Sequence, residues 1–441
     1  MTRARLGGLL LLLLSGGIFV VWGSALERTA PGGMVDFKAV YYGARCLLRH
    51  TDPYKESELL RVYQAEGGEF PSDPILSRLL HRAVLVCVNL PTALFLIAPF
   101  AMLPFGPAHL LWMTLMALSL LLAAILMWSV GANHAPGVSL LLSCILLANS
   151  EVLFAIGNAA GIVVSLCVVA SWCFLRERFV PVGVLCLAIG LAIKPQDAGP
   201  VWLFFLLAGG VPRKRALQAF VVTVLLSLPS VLWVMRASPD WMQEMRTNLA
   251  ATTGHGDIND PGPASLANGT AQPIIDMQSV IAVFRDDPRI YNLVTYLICG
   301  PLILVWALVA LRSRPSPANA WLALAAIVSL SMLVTYHRLY DAKLLILTVP
   351  VCAMLWAEGG PIGWLAIVLN TAGIVLTGDI SLLFLRHLAA SVQMPGGGLV
   401  GEMLTAVSIR PVPVALLVMG IFYLWVYVRR AYAPVAERGS Q

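Results

Sequence analysis

The sequence predicts an all-α polytopic membrane protein, on three observations. Hydrophobic residues fill 59% of the chain and charged residues only 12%, too few to clothe a soluble domain. Runs of about 20 apolar residues, long enough to cross a bilayer as helices, recur along its length. Between them, arginine and lysine gather in short runs, as they do in cytoplasmic loops. The net charge of +6 belongs to those runs and is no sign of nucleic-acid binding.

The N-terminal stretch MTRARLGGLLLLLLSGGIFVVWG has a basic start and an apolar run. It reads as an uncleaved anchor rather than a signal peptide, because the run is long and many spans follow. Spans are expected at 6–23, 83–103, 108–130, 157–175, 180–193, 200–210, 216–235, 292–312, 318–335, 342–356, 361–378 and 411–428. They make about 12 transmembrane helices in all. Arg3 and Arg5, Arg176 and Arg178, the Arg213-Lys214-Arg215 cluster, Arg312 with Arg314, and Arg429-Arg430 then face the cytoplasm. The loops 24–82, 194–199, 236–291, 336–341 and 379–410 lie outside.

Residues 1–430 read as one integral membrane domain, with a first outer loop at 24–82 and a long one at 236–291. A cytoplasmic tail, 431–441, follows. The stretch VSLLLSCILLANS, 138–150, is too short to cross, and as a crossing it puts Arg176 and Arg178 outside. It is expected as a half-helix or re-entrant piece that brings Glu151 and Asn158 towards a polar cavity on the outer side. The segments 180–193 and 200–210 read as a hairpin whose tip, IKPQDAG, dips below the outer surface. Long loops are usually functional, so the working face of this multi-pass plasma-membrane protein is expected to be extracytoplasmic. No internal repeat is evident, which weakens a transporter built on inverted halves.

Four constellations carry candidate chemistry. In VDFKAVYYGARCLLRHTDPY, the residues Phe37, Val40, Tyr41, Ala44, Leu47 and Leu48 follow helical spacing, with Lys38, Arg45 and Arg49 off that face. This pattern suits an amphipathic helix in the interface plane. Asp36 stands where an N-cap belongs, so capping is one reading of it and catalysis the other. The following TDPY reads as a turn. In TYHRLYDAKLLIL, the residues His337, Arg338, Tyr340, Asp341 and Lys343 crowd an outer junction. Ionisable groups at membrane depth suggest function, but pairing of Arg338 with Asp341, or snorkelling of Arg338, also accounts for them. In AIKPQDAG, Pro195 interrupts the helix after Lys194. That lysine either holds an anion as a point charge or snorkels to the head-groups.

The loop 236–291 is rich in glycine, proline and asparagine in its first half and reads as turns. Its later IIDMQSVIAVF fits a short helix lying over the cavity. Asn268-Gly269-Thr270 matches the glycosylation sequon, a short pattern that often arises by chance. Asp286-Asp287 before Pro288 reads as a helix-terminating turn rather than a metal site. The eight cysteines show no ligand spacing and read as buried spacers. There is no phosphate-binding glycine loop and no nucleophile elbow, so no cofactor and no metal is expected.

One outer acid, outer cations and an interfacial helix fit a lipid-phosphate sugar donor. Asp36 acts as general base on an acceptor hydroxyl, and Lys194, His337 and Arg338 hold the departing phosphate. Tyr41, Tyr42, Asn158, Gln196, Gln278, Tyr340 and Asp341 complete the expected substrate cavity.

These residues also resemble a known family. DFKAVYYGARCLLRHTDPY is similar to the first-loop signature of glycosyltransferase family 87 (GT87), also described by the domain of unknown function 2029. That family is a branch of the GT-C membrane superfamily. NLPTALFLIAPFAMLPFG resembles the family's second span, and GNAAGIVVSLCVVASWCFLRERFVPVGVLCLAIGLAIKPQ its central module. TYHRLYDAKLLIL is similar to its late motif. The similarity covers roughly 30–350 in pieces. It implies a GT-C fold and an inverting transferase that uses a polyprenyl-phosphate sugar, mannose in the first instance. Asp36 then matches the catalytic acid, with His337 and Lys194 at the donor phosphate. Asn158 and Ala159 stand where a Gln-Val pair is expected, and the His-Arg-Leu-Tyr-Asp order is one variant of the late motif. The partners implied are the lipid-linked donor, a lipid or glycan acceptor and membrane lipids, with no nucleic acid. A transporter or flippase of lipid-linked sugars is the alternative, and a non-catalytic assembly protein a third.

Overall fold

The computed structural model describes residues 3–29, 33–266, 273–313, 316–379, Ser408 and 410–432. The sequon at Asn268, Arg314 and the tail after Tyr432 lie outside the described residues, as does most of the expected loop 379–410. The described residues contain helices and no strand, and an isolated antiparallel bridge joins Ile274 to Arg338.

Helix α1 (Arg3–Thr29) leads into a layer of shorter helices, α2 (Val35–Leu48), α3 (Glu56–Ala65), α4 (Pro74–Leu85) and α5 (Pro91–Ala101). The bundle continues with α6 (Phe105–Gly131), α7 (Pro136–Ala148), α8 (Glu151–Ile156) and α9 (Ala160–Leu175). Next come α10 (Val180–Ile193), α11 (Pro195–Leu207) and α12 (Gly210–Ala237). After α13 (Trp241–Thr253) and α14 (Met277–Phe284) come α15 (Pro288–Arg312) and α16 (Pro317–Val334). A 3₁₀ segment, Asp341–Thr348, runs straight into α17 (Val349–Glu358), followed by α18 (Gly360–Leu376) and α19 (Pro411–Ala431). Many of these helices open on a proline in the first turn, where the missing N–H is not needed and φ is already helical.

Among the described residues, seven helical stretches are long and apolar enough to cross a membrane. They are Arg5–Thr29, Phe105–Gly131, Pro136–Ile156, Gly210–Ala237, Pro288–Arg312, Pro317–Val334 and Pro411–Ala431, and four shorter apolar helices accompany them. The chain is therefore a polytopic helical membrane protein. Its centre is α16, buried at every position from Ala320 to Leu330, against α19, α15, α11 and the 3₁₀ segment. The 3₁₀ segment is buried throughout, including Lys343, whose ammonium donates to the carbonyls of Asn149 (2.5 Å) and Thr377 (2.9 Å).

Three expectations are corrected. The apolar run 83–103 is two helices, because the chain is non-helical from Val86 to Leu90 before Pro91 opens α5. The residue before a proline is driven out of the helical region. Conversely, 138–150 is no isolated half-helix. One break at Asn149-Ser150 joins it to α8, and Pro136–Ile156 together has spanning length. Glu151, expected near the cavity, is fully buried instead. Lastly, α2 does not lie on a surface. It is buried on nearly all sides between α5 and the α3–α4 pair, with Arg45 and Arg49 both satisfied by Glu66 at 2.7 and 2.6 Å.

The turns sort into two ends of the bundle. The start of α2, the Gly157–Asn158 turn, the Lys194 break and the Tyr336–Tyr340 segment meet at one end around a shared cavity. At the other end, Arg215 donates to the carbonyl of Phe174 (2.6 Å) and Arg430 pairs with Glu358. The 16 residues of α9 separate these ends by about 24 Å at the helical rise.

Candidate active site

The start of α2 is built from backbone outward. Met34 precedes the helix in the left-handed conformation (φ 58°) and donates its N–H to the carbonyl of Ala155 in α8 (2.8 Å). A non-glycine residue there costs energy and persists only where its surroundings enforce it. Opposite it, α8 ends on Gly157 at φ 69°, and an added Cβ there comes within 2.7 Å of Phe37 Cβ. Only glycine combines that φ with that approach. The carbonyl of Gly157 accepts from the Trp112 indole (2.9 Å), and Phe37 stacks on the same indole at 4.9 Å. The two turns are thereby locked together, and each delivers one polar side chain to the gap between them, Asp36 from α2 and Asn158 from the glycine turn.

Asp36 is therefore not the cap. The cap position is Met34, which offers no side-chain bond, and Asp36 is the second residue of the helix, within its first turn. Its carboxylate accepts from Asn158 Nδ2 at 2.7 Å. Asn158 Oδ1 in turn accepts from the N–H of Ala160, at the start of α9, at 2.8 Å and from Lys194 Nζ at 3.4 Å. Burial pushes the Asp36 carboxyl above its ordinary pKa, while the Asn158 bond and the charges of Arg338 and Lys194 pull it back without cancelling the rise.

Lys194 occupies the non-helical joint between α10 and α11. Its ammonium pairs with Asp341 and, at 3.3 Å, with Asp197, and lies 4.8 Å from the Tyr340 ring centre. Asp341 also accepts the backbone N–H of Arg338 (2.8 Å), tying the late segment to the joint. His337 is 1% exposed, with Nδ1 2.8 Å from the Thr335 carbonyl and Nε2 3.4 Å from Asp197. Acceptors thus face both ring nitrogens, which suits the imidazolium. Burial opposes that charge, but Asp197 and Asp341 outweigh it and raise the pKa. Lysine, histidine and two aspartates form a paired quartet, so the Lys194 charge is already answered within the protein.

The Arg338 guanidinium turns the other way. It donates to the Ile258 carbonyl (2.6 Å), Asn259 Oδ1 (3.1 Å) and the Tyr336 hydroxyl, which itself donates to Asn259 (2.8 Å). The partners named here are neutral groups, and no described ion pair joins the guanidinium to Asp341, the pairing the sequence offered.

A cavity of about 300 Å³ brings the set together. Asp36, Asn158, Lys194, Gln196, Arg338 and Tyr340 line it, and Leu79, Val86, Ile97 and Ile193 give it an apolar side. His337, Asp341, Tyr41, Tyr42 and Gln278 were expected there and are not in the lining. His337 and Asp341 stand behind Lys194, Tyr41 donates to the Leu103 carbonyl (2.8 Å), Tyr42 packs edge-on against Tyr63, and Gln278 pairs with Asn292 (2.7 Å). The helix α14 forms as expected but packs on α15 and α16 rather than over the cavity. The lining also includes Arg82, Ile258, Asn259 and Tyr336, which sequence reasoning missed. Their only signal was membership of polar outer loops. Asp287 caps α15 by accepting from Arg289 N, opening that helix rather than ending one. Asp286 instead gathers with His255 and Asp260, and both Asp260 oxygens are occupied by the N–H groups of Gly256 and Gly262.

The architecture is that of a polytopic membrane protein with a charged cavity, apolar on one side, at one end of its bundle. The model of glycosyltransferase family 87 matches residues 88–335, more than half of the chain, and the protein belongs to that family. It is a glycosyltransferase, acting between a sugar donor and an acceptor. The matched stretch contains Asn158, Lys194 and Asn259 and stops short of Asp36 and Tyr336–Asp341. Comparison with curated proteins and with solved structures gives no match.

Proposed function

We propose that this glycosyltransferase moves a hexose, mannose in the first instance, from a polyprenyl-phosphate donor to an envelope lipid or glycan, inverting the anomeric centre. The observation that carries the reading is one cavity with Asp36 and Arg338 on its polar side and Leu79, Val86 and Ile97 on its apolar side. An isoprenoid tail suits the apolar side, its phosphate suits the Arg338 guanidinium at the cavity wall, and the sugar then reaches Asp36. Polyprenyl phosphate and mannose rest on the resemblance of the quoted motifs.

In the transfer step the acceptor oxygen bonds to the anomeric carbon as its proton passes to the Asp36 carboxylate. The bond from that carbon to the phosphate oxygen breaks, and the electron pair leaves on polyprenyl phosphate. Arg338, positioned through Asn259 and Tyr336, stabilises the developing charge. Asn158 fixes the carboxylate that takes the proton. Lys194, compensated by Asp197 and Asp341, contributes chiefly by fixing the cavity wall, with His337 supporting it from behind.

A GT-C-like path of about twelve crossings supports an extracytoplasmic site. Counting α7–α8 as one crossing and α2–α5 as none puts Arg3, Arg176, the Arg213 cluster, Arg312 and Arg429 on one side, as the positive-inside rule asks of the cytoplasm. The cavity then opens on the other face of the plasma membrane. A transporter needs access from both faces, whereas the polar lining gathers at one end.

Incubating membranes that contain the enzyme with a panel of polyprenyl-phosphate sugars tests the proposal. Sugar release or transfer from polyprenyl-phosphate mannose supports it. Transfer only from a nucleotide sugar, or lipid movement across vesicles without any glycosylated product, refutes it.

A further inference from the structure

A second cavity, of about 230 Å³, opens beside the first turn of α2. Val35 lines both cavities, and α4 is shared in the same way, with Leu79 and Ala83 towards the first and Leu80 and Val84 towards the second. Asp36 and Lys38 are two residues apart, about 200° around a helix, so the acid faces the first cavity and the ammonium the second.

The second cavity has an apolar floor in Leu80 and Val84. Its sides carry the rings of Tyr63 and Phe70, with centres 5.1 Å apart, together with Lys38 and Glu69. The described salt bridges involve neither of those two charges. Its volume lies below the roughly 300–1,000 Å³ of sites for drug-sized ligands, so it suits one small unit of a larger molecule.

We infer that this second cavity is the acceptor subsite and that it takes a saccharide unit. A sugar presents C–H faces for the two rings and hydroxyls for the ammonium and the carboxylate. An acyl chain offers neither the Lys38 ammonium nor the Glu69 carboxylate a hydrogen-bond partner, and a phosphate meets the carboxylate unfavourably. The inference rests on the transferase reading above and adds the acceptor's place to it. Inversion requires the attacking oxygen to arrive opposite the departing phosphate. With the phosphate at Arg338 in the first cavity, an acceptor held in the second approaches from the other side of α2's first turn. Val35 lines both cavities, and the neighbouring residue is the base, Asp36.

The test uses the full chain in lipid nanodiscs, with polyprenyl phosphate present to fill the first cavity and methyl α-mannopyranoside as the probe. Saturation-transfer NMR is expected to show the probe's ring protons receiving saturation from the wild type. Both Phe70→Ala and Lys38→Gln, shown monodisperse, should weaken that signal at least about fivefold, as loss of a binding anchor does. In transfer assays the same variants should raise the acceptor KM by a like factor with the donor KM unchanged. No saturation in the wild type, or equal saturation in both variants, overturns the inference. Failure of the donor reading would show separately, as no sugar release from polyprenyl-phosphate mannose, since probe binding is measured without that donor.

Discussion

Asn158 holds the Asp36 carboxylate at 2.7 Å with its amide nitrogen while its oxygen accepts the N–H of Ala160. The acid at the head of α2 is thus oriented by Asn158, 122 residues further on, which the first backbone N–H of α9 holds in turn. A charged hydrogen bond of this kind contributes about 1.5–3 kcal/mol, and its larger effect here is on the acid's protonation.

Asn158→Leu removes a contact that lowers the Asp36 pKa. Burial already raises that pKa, so the acid limb of the kcat/KM profile should move further up. At neutral pH the rate should fall about tenfold or more. A pH–rate profile checks this, and an unmoved limb separates Asn158 from the base.

Lys194→Met leaves Asp197 and Asp341 buried without their shared cation. Breaking a buried pair from one side costs about 3–5 kcal/mol, so the melting temperature should drop sharply. Adding Asp341→Leu removes one stranded charge and should recover part of the loss. Differential scanning fluorimetry of the single and double variants reads both outcomes.

Asp276 caps α14 through the N–H of Ser279 (2.9 Å), and burial pushes its carboxyl up to about 7 against the opposing pull of that bond, His337 and Arg410. The folded chain then binds a proton that the unfolded chain has released above about pH 4. The sign follows from linkage: this group's stability is full below the unfolded pKa and is lost as pH rises towards 7. Asp276→Asn keeps the cap and cannot ionise, so its melting temperature should fall less between pH 5 and 7 than the wild type's.

The helical membrane class and the polar segments were legible in the sequence, because hydropathy and charge report directly on burial. Topology was less so. VCVNLPT reads as apolar, yet Pro91 divides it, while Glu151 hides the second half of a span that the fold joins across one break. Side-chain direction was the harder limit. His337 and Arg338 are adjacent, and only the fold shows the first facing Asp197 and the second facing the cavity. Asn259 was invisible for another reason, since turn-rich composition does not say which turn residue is aimed inward.

Asp36 takes the acceptor's proton in the proposed transfer step, and Asp36→Asn removes that ability alone. The amide preserves shape and the contact with Asn158 but cannot take the proton. With normal membrane insertion, the initial rate of transfer from polyprenyl-phosphate mannose to membrane acceptors should fall by about 10²–10⁴, the usual contribution of a general base. Transfer at the wild-type rate would mean that another group takes the proton.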